Sequence, residues 1–185
     1  EEGYLVCALE QRGFGERVTD QFNKDKQNSC RHLAFEYMLN GQTLLGKRIQ
    51  DAMIAVNYLQ HRADVHFDLL ASIGFSGGGT TALFLSALDD RIRSTVIASY
   101  FCAFKHSILG VAHCECNYVP GILKLGEMGD LTSLITPRNL CIVSGERDHI
   151  FPIDGVYEQM KIVERAYALM NATSACTCLI HDGGH

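Results

Sequence analysis

Residues 68–88 read DLLASIGFSGGGTTALFLSAL, and their order decides the architecture. The apolar run from Asp68 to Gly74 has the length and continuity of a buried parallel strand. Directly behind it stand the glycines Gly77, Gly78 and Gly79, and then a helical run from Thr80 to Leu88. Between strand and helix, Gly74-Phe75-Ser76-Gly77-Gly78 fits G-x-S-x-G in the strand–turn–helix context that this motif requires. Such a turn holds the serine in strained φ/ψ with its hydroxyl out of the sheet, and its neighbours must be small because two backbones approach closely. The helix start directs N–H groups and partial positive charge at the same place. The Gly77 N–H, next after the serine, is the expected oxyanion donor. A phosphate-binding loop would need a lysine after its last glycine, and none follows here.

Working outward, residues 3–9 (GYLVCAL) read as another buried strand, followed by the glycine-punctuated loop 12–17 (RGFGER). Leu45, Ile49, Met53, Val56 and Leu59 recur at helical spacing within 43–61. Residues 94–101, 139–144 and 175–180 read as strands, 153–170 as a helix, and 102–136 as irregular. Strands alternating with helices predict a mostly parallel sheet covered on both faces, an α/β fold with ligands beyond the carboxyl ends of the strands. Residues 1–185 read as one domain, with 102–136 as a cap or pocket-lining segment.

Two further groups stand where strands end. Asp148 follows the 139–144 strand in SGERDHIFP, before an apolar segment that would hold its loop down; Glu146 and Asp154 are rivals. A carboxylate there can orient an imidazole and stabilise its charged form. His185 follows the last strand behind two glycines that would let it swing towards the serine, and His181 is its rival. The order Ser76, Asp148, His185 is that of serine hydrolases of this element pattern.

Nearly half of the residues are apolar and a fifth are charged, the balance of a globular protein, and no apolar run is long enough to span a membrane. A net charge of −5 argues against a nucleic-acid partner. The eight cysteines include Cys7, Cys102 and Cys141 at strand-like positions, where free thiols pack well. Reduced thiols and a cytoplasmic location are the expectation. His113-Cys114-Glu115-Cys116 raises zinc, but a second paired unit of the usual spacing is lacking, unless Cys176 and Cys178 join it across chains. Arg12 and Arg17 are expected to pair with Glu10, Glu16 or Asp20 rather than with an acidic substrate.

The segments RGFGER (12–17), GFSGGG (74–79), HCECNYVPG (113–121) and GERDHIFP (145–152) occur in this order in one group. The chain resembles the acetyl xylan esterase-like branch of the dienelactone hydrolase-related α/β-hydrolases over essentially its whole length. Glu10 departs from the pattern, since relatives carry aspartate there. The resemblance implies an α/β-hydrolase fold, here without the family's N-terminal strands and final helix, and with the second oxyanion donor upstream. It implies a serine esterase acting on short acyl esters such as acetyl, those of a carbohydrate included, with no cofactor and no metal. Phe75 and Tyr118 are expected to line the substrate site. The partner is a small-molecule ester, with a homo-oligomer left open. The other readings are a serine peptidase of the prolyl oligopeptidase-related type and a non-catalytic fragment of the fold.

Overall fold

The structure, a computed structural model, describes residues 3–19 and 28–185. They fall into two compact units, Glu1–Phe67 with Cys114–Val119 and Asp68–His113 with Pro120–His185.

The first unit contains two helices, α1 (Cys30–Leu39) and α2 (Leu44–Gln60). The expected helix at 43–61 is α2, and it starts where Thr43 Oγ1 accepts the Gly46 N–H at 2.9 Å. No element was expected at 30–39. The buried stripe Cys30, Leu33 and Ala34, with Tyr37 packed alongside, has helical spacing, but Phe35, Met38 and Leu39 point outward and blur the period. The 12–17 loop is fastened to α2. Arg12 holds Asp51 through two hydrogen bonds of 2.7 and 2.8 Å, and Arg17 meets the same carboxylate at 2.9 Å. Asp51 is therefore the partner of both arginines, in place of Glu10 or Glu16; Asp20 lies outside the described residues. The Arg12 guanidinium holds the Asp51 carboxyl below the usual carboxylate range. Gly13 and Gly15 have φ of +93° and +49°, and a side chain on Gly15 would land on the Glu10 carboxylate, which accepts the Glu16 N–H.

Residues 3–9 form no strand, contrary to the expectation. Tyr4 and Val6 are more than four-fifths exposed and Cys7 is exposed too. A strand persists where a neighbour takes up its N–H and C=O groups, and among the described residues this segment has no ladder partner.

The second unit is built on a parallel sheet in the order β1 (Ala71–Phe75), β2 (Ser94–Ala98), β3 (Asn139–Gly145) and β4 (Cys176–His181). In register, Gly74, Ile97, Ile142 and Cys178 form one row across the sheet. The helices α3 (Gly77–Leu88), α4 (Met128–Ser133) and α5 (Ile153–Leu169) gather over that face. Leu83, Ile97, Ile142, Val156 and Val163 are wholly buried in one cluster. Each aliphatic side chain so buried contributes roughly 1.5–3 kcal/mol by leaving water.

The sheet is parallel and flanked by helices, as expected. The opposite row begins at Ile73, on the outer strand of that order, which is 77% exposed. Asp68 belongs to a 3-10 turn, Phe67–Leu69, rather than to β1. Within 102–136 the structure forms α4 and the 3-10 turns Glu115–Asn117 and Ile122–Lys124. A capping box starts α4: the Glu127 side chain accepts from the Met128 N–H, and Asp130 Oδ2 accepts the Glu127 N–H at 2.9 Å. The Arg138 guanidinium donates to the carbonyls of Ser86, Asp89 and Ile92, tying the end of α3 to the start of β3.

Candidate active site

The turn between β1 and α3 sets the position of Ser76. Its φ of 52° and ψ of −118° lie outside the conformations that L-residues ordinarily adopt. What holds it there is close packing. The Ser76 N–H donates to Ala98 O at 2.8 Å, anchoring the turn to β2. A side chain on Gly74 would run into the Gly78 carbonyl, and one on Gly79 would stand 2.8 Å from Tyr100 Cβ. Gly77 opens α3, so its N–H lies in the first helical turn, next in sequence to Ser76.

Asp148 and His185 reach the same place from the ends of β3 and β4. His185 Nε2 lies 2.9 Å from Ser76 Oγ, and His185 Nδ1 lies 2.9 Å from Asp148 Oδ2. A carboxylate can only accept, so Nδ1–H donates to Asp148. That leaves the Nε2 lone pair to accept the Ser76 O–H. The Asp148 side chain is fully buried, whereas His185 retains 24% exposure. Asp148 Oδ1 accepts two backbone N–H groups, from Ile150 at 2.8 Å and Phe151 at 3.0 Å, so both its oxygens are engaged. The Phe151 ring lies nearly parallel to His185, with centroids 5.7 Å apart, and Phe75 faces the imidazole at 5.1 Å.

The rivals are otherwise occupied. His181 Nδ1 accepts the Gly183 N–H at 3.0 Å and so stabilises the turn before His185. Glu146 and Asp154 are exposed, Asp154 in the first turn of α5. Tyr118 belongs to the first unit and is 40% exposed. Among the described residues no group of three or more His, Cys, Asp or Glu side chains is arranged to hold a metal ion.

Two supporting residues, Gly145 and Ser107, were not singled out from the sequence, and a third, Phe151, was read there only as part of the apolar segment that holds the Asp148 loop. Gly145 ends β3 directly beneath the turn that carries His185. A Cβ on it would stand 2.6 Å from Gly183 O and closer still to Gly184 O. Ser107, wholly buried, donates to Ile150 O at 2.7 Å and meets His113 Nε2 at 3.0 Å, holding the stretch whose N–H groups grip Asp148. Phe151 packs between the His185 and His113 rings. The apolar Ile150-Phe151 pair was the available signal for that support; Gly145 and Ser107 carry none, because their roles depend on what other elements lie against them.

This arrangement can activate a hydroxyl: a hydrogen-bonded serine, imidazole and carboxylate at the carboxyl end of a parallel sheet. Residues 1–119, including the Ser76 turn, match the model of the acetyl xylan esterase (AXE1) family. The chain belongs to this family. Among curated proteins, "Putative hydrolase YtaP" of Bacillus subtilis (strain 168) is 31% identical over 188 residues, which is 99% of this chain and 60% of that protein. The crystal structure of a "putative acetyl xylan esterase" from Bacteroides fragilis NCTC 9343 superposes with a TM-score of 0.79 at 16% identity, covering 94% of this chain and 46% of that one. A glucuronoyl esterase from Caldicellulosiruptor kristjansonii gives a TM-score of 0.64 at 17% identity, over 77% of this chain and 45% of the other. The fold is that of the α/β-hydrolases. The chain spans about half the length of the relatives it matches. Among the described residues no helix is long and apolar enough to cross a membrane.

Proposed function

We propose that the protein hydrolyses carboxylic esters of short acyl groups, acetyl foremost, through an acyl-enzyme on Ser76. The observation that carries this reading is the unbroken chain Ser76–His185–Asp148, each link 2.9 Å, on a positive-φ serine at a strand–helix turn. In the proposed reaction, Ser76 Oγ attacks the ester carbonyl as His185 Nε2 takes its proton. Asp148 holds the ring through Nδ1–H and stabilises the imidazolium. The Gly77 N–H donates to the tetrahedral oxyanion. His185 then protonates the departing alcohol, and a water deprotonated by the same nitrogen releases the acid and restores Ser76. Phe75, beside the imidazole and more than half exposed, forms a wall for the substrate. The family's name and the ester-cleaving neighbours support an ester, and a carbohydrate alcohol as the leaving group.

A fluorophosphonate probe should label the protein and should fail to label Ser76→Ala. Short nitrophenyl esters should be cleaved in preference to aminoacyl-nitroanilides. Labelling that survives Ser76→Ala, or faster cleavage of the anilides, would overturn the assignment.

A further inference from the structure

The first unit holds a second constellation of nucleophilic groups that ester hydrolysis does not use. Cys30 at the start of α1, Arg48 on α2, Cys114 at the N-cap of the 3-10 turn Glu115–Asn117 and Cys116 within that turn are packed together. Arg48 is only 3% exposed. Its guanidinium donates twice to Arg12 O, at 3.1 and 2.7 Å, and once to Cys30 Sγ at 3.0 Å, while its face lies over the Phe14 ring. A buried cation is costly unless an anion compensates it. Among the described residues no carboxylate forms an ion pair with Arg48; Asp51 is taken by Arg12 and Arg17, and Glu115 by Arg31. The ionisable groups that face the guanidinium are thiols.

Within the cluster the sulfurs are unequal. The Cys116 S–H donates to Cys114 Sγ at 3.2 Å, and Asn117 Nδ2 reaches Cys116 Sγ at 3.9 Å. Cys114 Sγ is the acceptor in that pair. Hydrogen bonds from Cys116 and Cys30, with Arg48 nearby, hold its thiol well below the usual range, while those same contacts push Cys30 and Cys116 up. Cys114 is half-buried and Cys30 wholly buried, so of the two Cys114 is the nearer to solvent. The 3.2 Å separation is shorter than the span of about 3.7 Å between two thiolates on one zinc ion, so the pair is spaced for each other rather than for a metal.

We infer that Cys114 is a peroxide-reactive thiolate with Cys116 as its resolving thiol, a modification site in a thiol cluster that the buried Arg48 joins through Cys30. The Cys114 thiolate attacks one oxygen of a hydroperoxide. An S–O bond forms, the O–O bond breaks, and the alkoxide or hydroxide that leaves takes up a proton, giving a sulfenic acid. Cys116 sulfur then displaces hydroxide from that sulfur. An S–S bond forms, the S–O bond breaks, and the Cys116 proton completes a water molecule. Two thiols and one hydroperoxide thus yield a disulfide, an alcohol or water, and one further water. No step passes through Ser76.

The test is to treat the full protein with one equivalent of hydrogen peroxide at slightly acidic pH, quench with an alkylating agent, and map the peptides without reduction. The expected product is a Cys114–Cys116 disulfide, with exposed Cys7 still alkylated. Cys116→Ser should instead accumulate a sulfenic acid at Cys114 that a cyclic dione traps, and Arg48→Gln should slow the reaction at least about tenfold. Because the wild-type map needs no variant, a misfolded substitution leaves the test intact. Oxidation that begins at Cys7 while the cluster stays reduced, or a bridge from Cys114 to Cys30, would overturn the proposal.

Discussion

Gly145→Ala tests how the His185 turn is held. A Cβ at this position would stand 2.6 Å from Gly183 O, against about 3.4 Å for an ordinary carbon–oxygen contact. The 183–184 backbone must therefore move by roughly 0.8 Å or more. His185 is the next residue, and its Nε2 sits 2.9 Å from Ser76 Oγ. A shift of that size stretches the contact beyond hydrogen-bond length. Misplacement by about 1 Å costs on the order of a hundredfold, so kcat/KM on p-nitrophenyl acetate should fall about 30- to 100-fold. Circular dichroism should show the fold retained. Gly184→Ala is the control, because its Cβ would meet only Arg147 O at 3.6 Å, an ordinary contact, and activity should stay within about threefold. A folded Gly145→Ala protein with activity within that same range would refute the reasoning: β4 would then yield while the histidine turn stays in place.

Asp148→Asn keeps the shape but removes the acceptor that selects the Nδ1–H tautomer. Steady-state kinetics should show kcat lower by about a thousandfold or more, with KM little changed. Ser107→Ala removes the donor to Ile150 O from a wholly buried position. A loss of about 1–3 kcal/mol in urea unfolding should accompany a fall in kcat, since Ile150 and Phe151 hold Asp148. Asp51 is held below its ordinary carboxylate range by Arg12 and Arg17, so its contribution to stability is present above the unfolded value of about 3.9. That contribution is lost as pH falls through the lower folded value. Asp51→Asn should therefore cost roughly 1–2 kcal/mol at neutral pH, a difference that shrinks in urea titrations taken into the acid range.

What the sequence alone determined is whatever depends on neighbours along the chain. The glycines around Ser76 specify a tight strand–helix turn because only small residues fit between those two backbones, and no distant contact is needed to see it. The apolar runs at 94–101 and 139–144 announce buried strands, of which the first ends at Ala98 in the structure, since a strand inside a parallel sheet is covered by neighbours whatever they are. Chain order brought Asp148 and His185 forward, because parallel strands deliver their carboxyl ends to one edge.

Tertiary structure decided the rest. Residues 3–9 are as apolar as a buried strand, yet a ladder needs a partner, and composition cannot supply one. Arg12 and Arg17 had acidic neighbours in sequence, but a long guanidinium takes the carboxylate that the fold presents, which is Asp51 across α2. Gly145 and Ser107 matter through atoms on other segments. The cluster of Cys30, Arg48, Cys114 and Cys116 exists only because α1, α2 and the 114–119 turn meet. The serine turn needed its own few residues; the histidine that meets it needed the whole sheet, since a 2.9 Å hydrogen bond between Ser76 and His185 is a property of packing rather than of sequence distance.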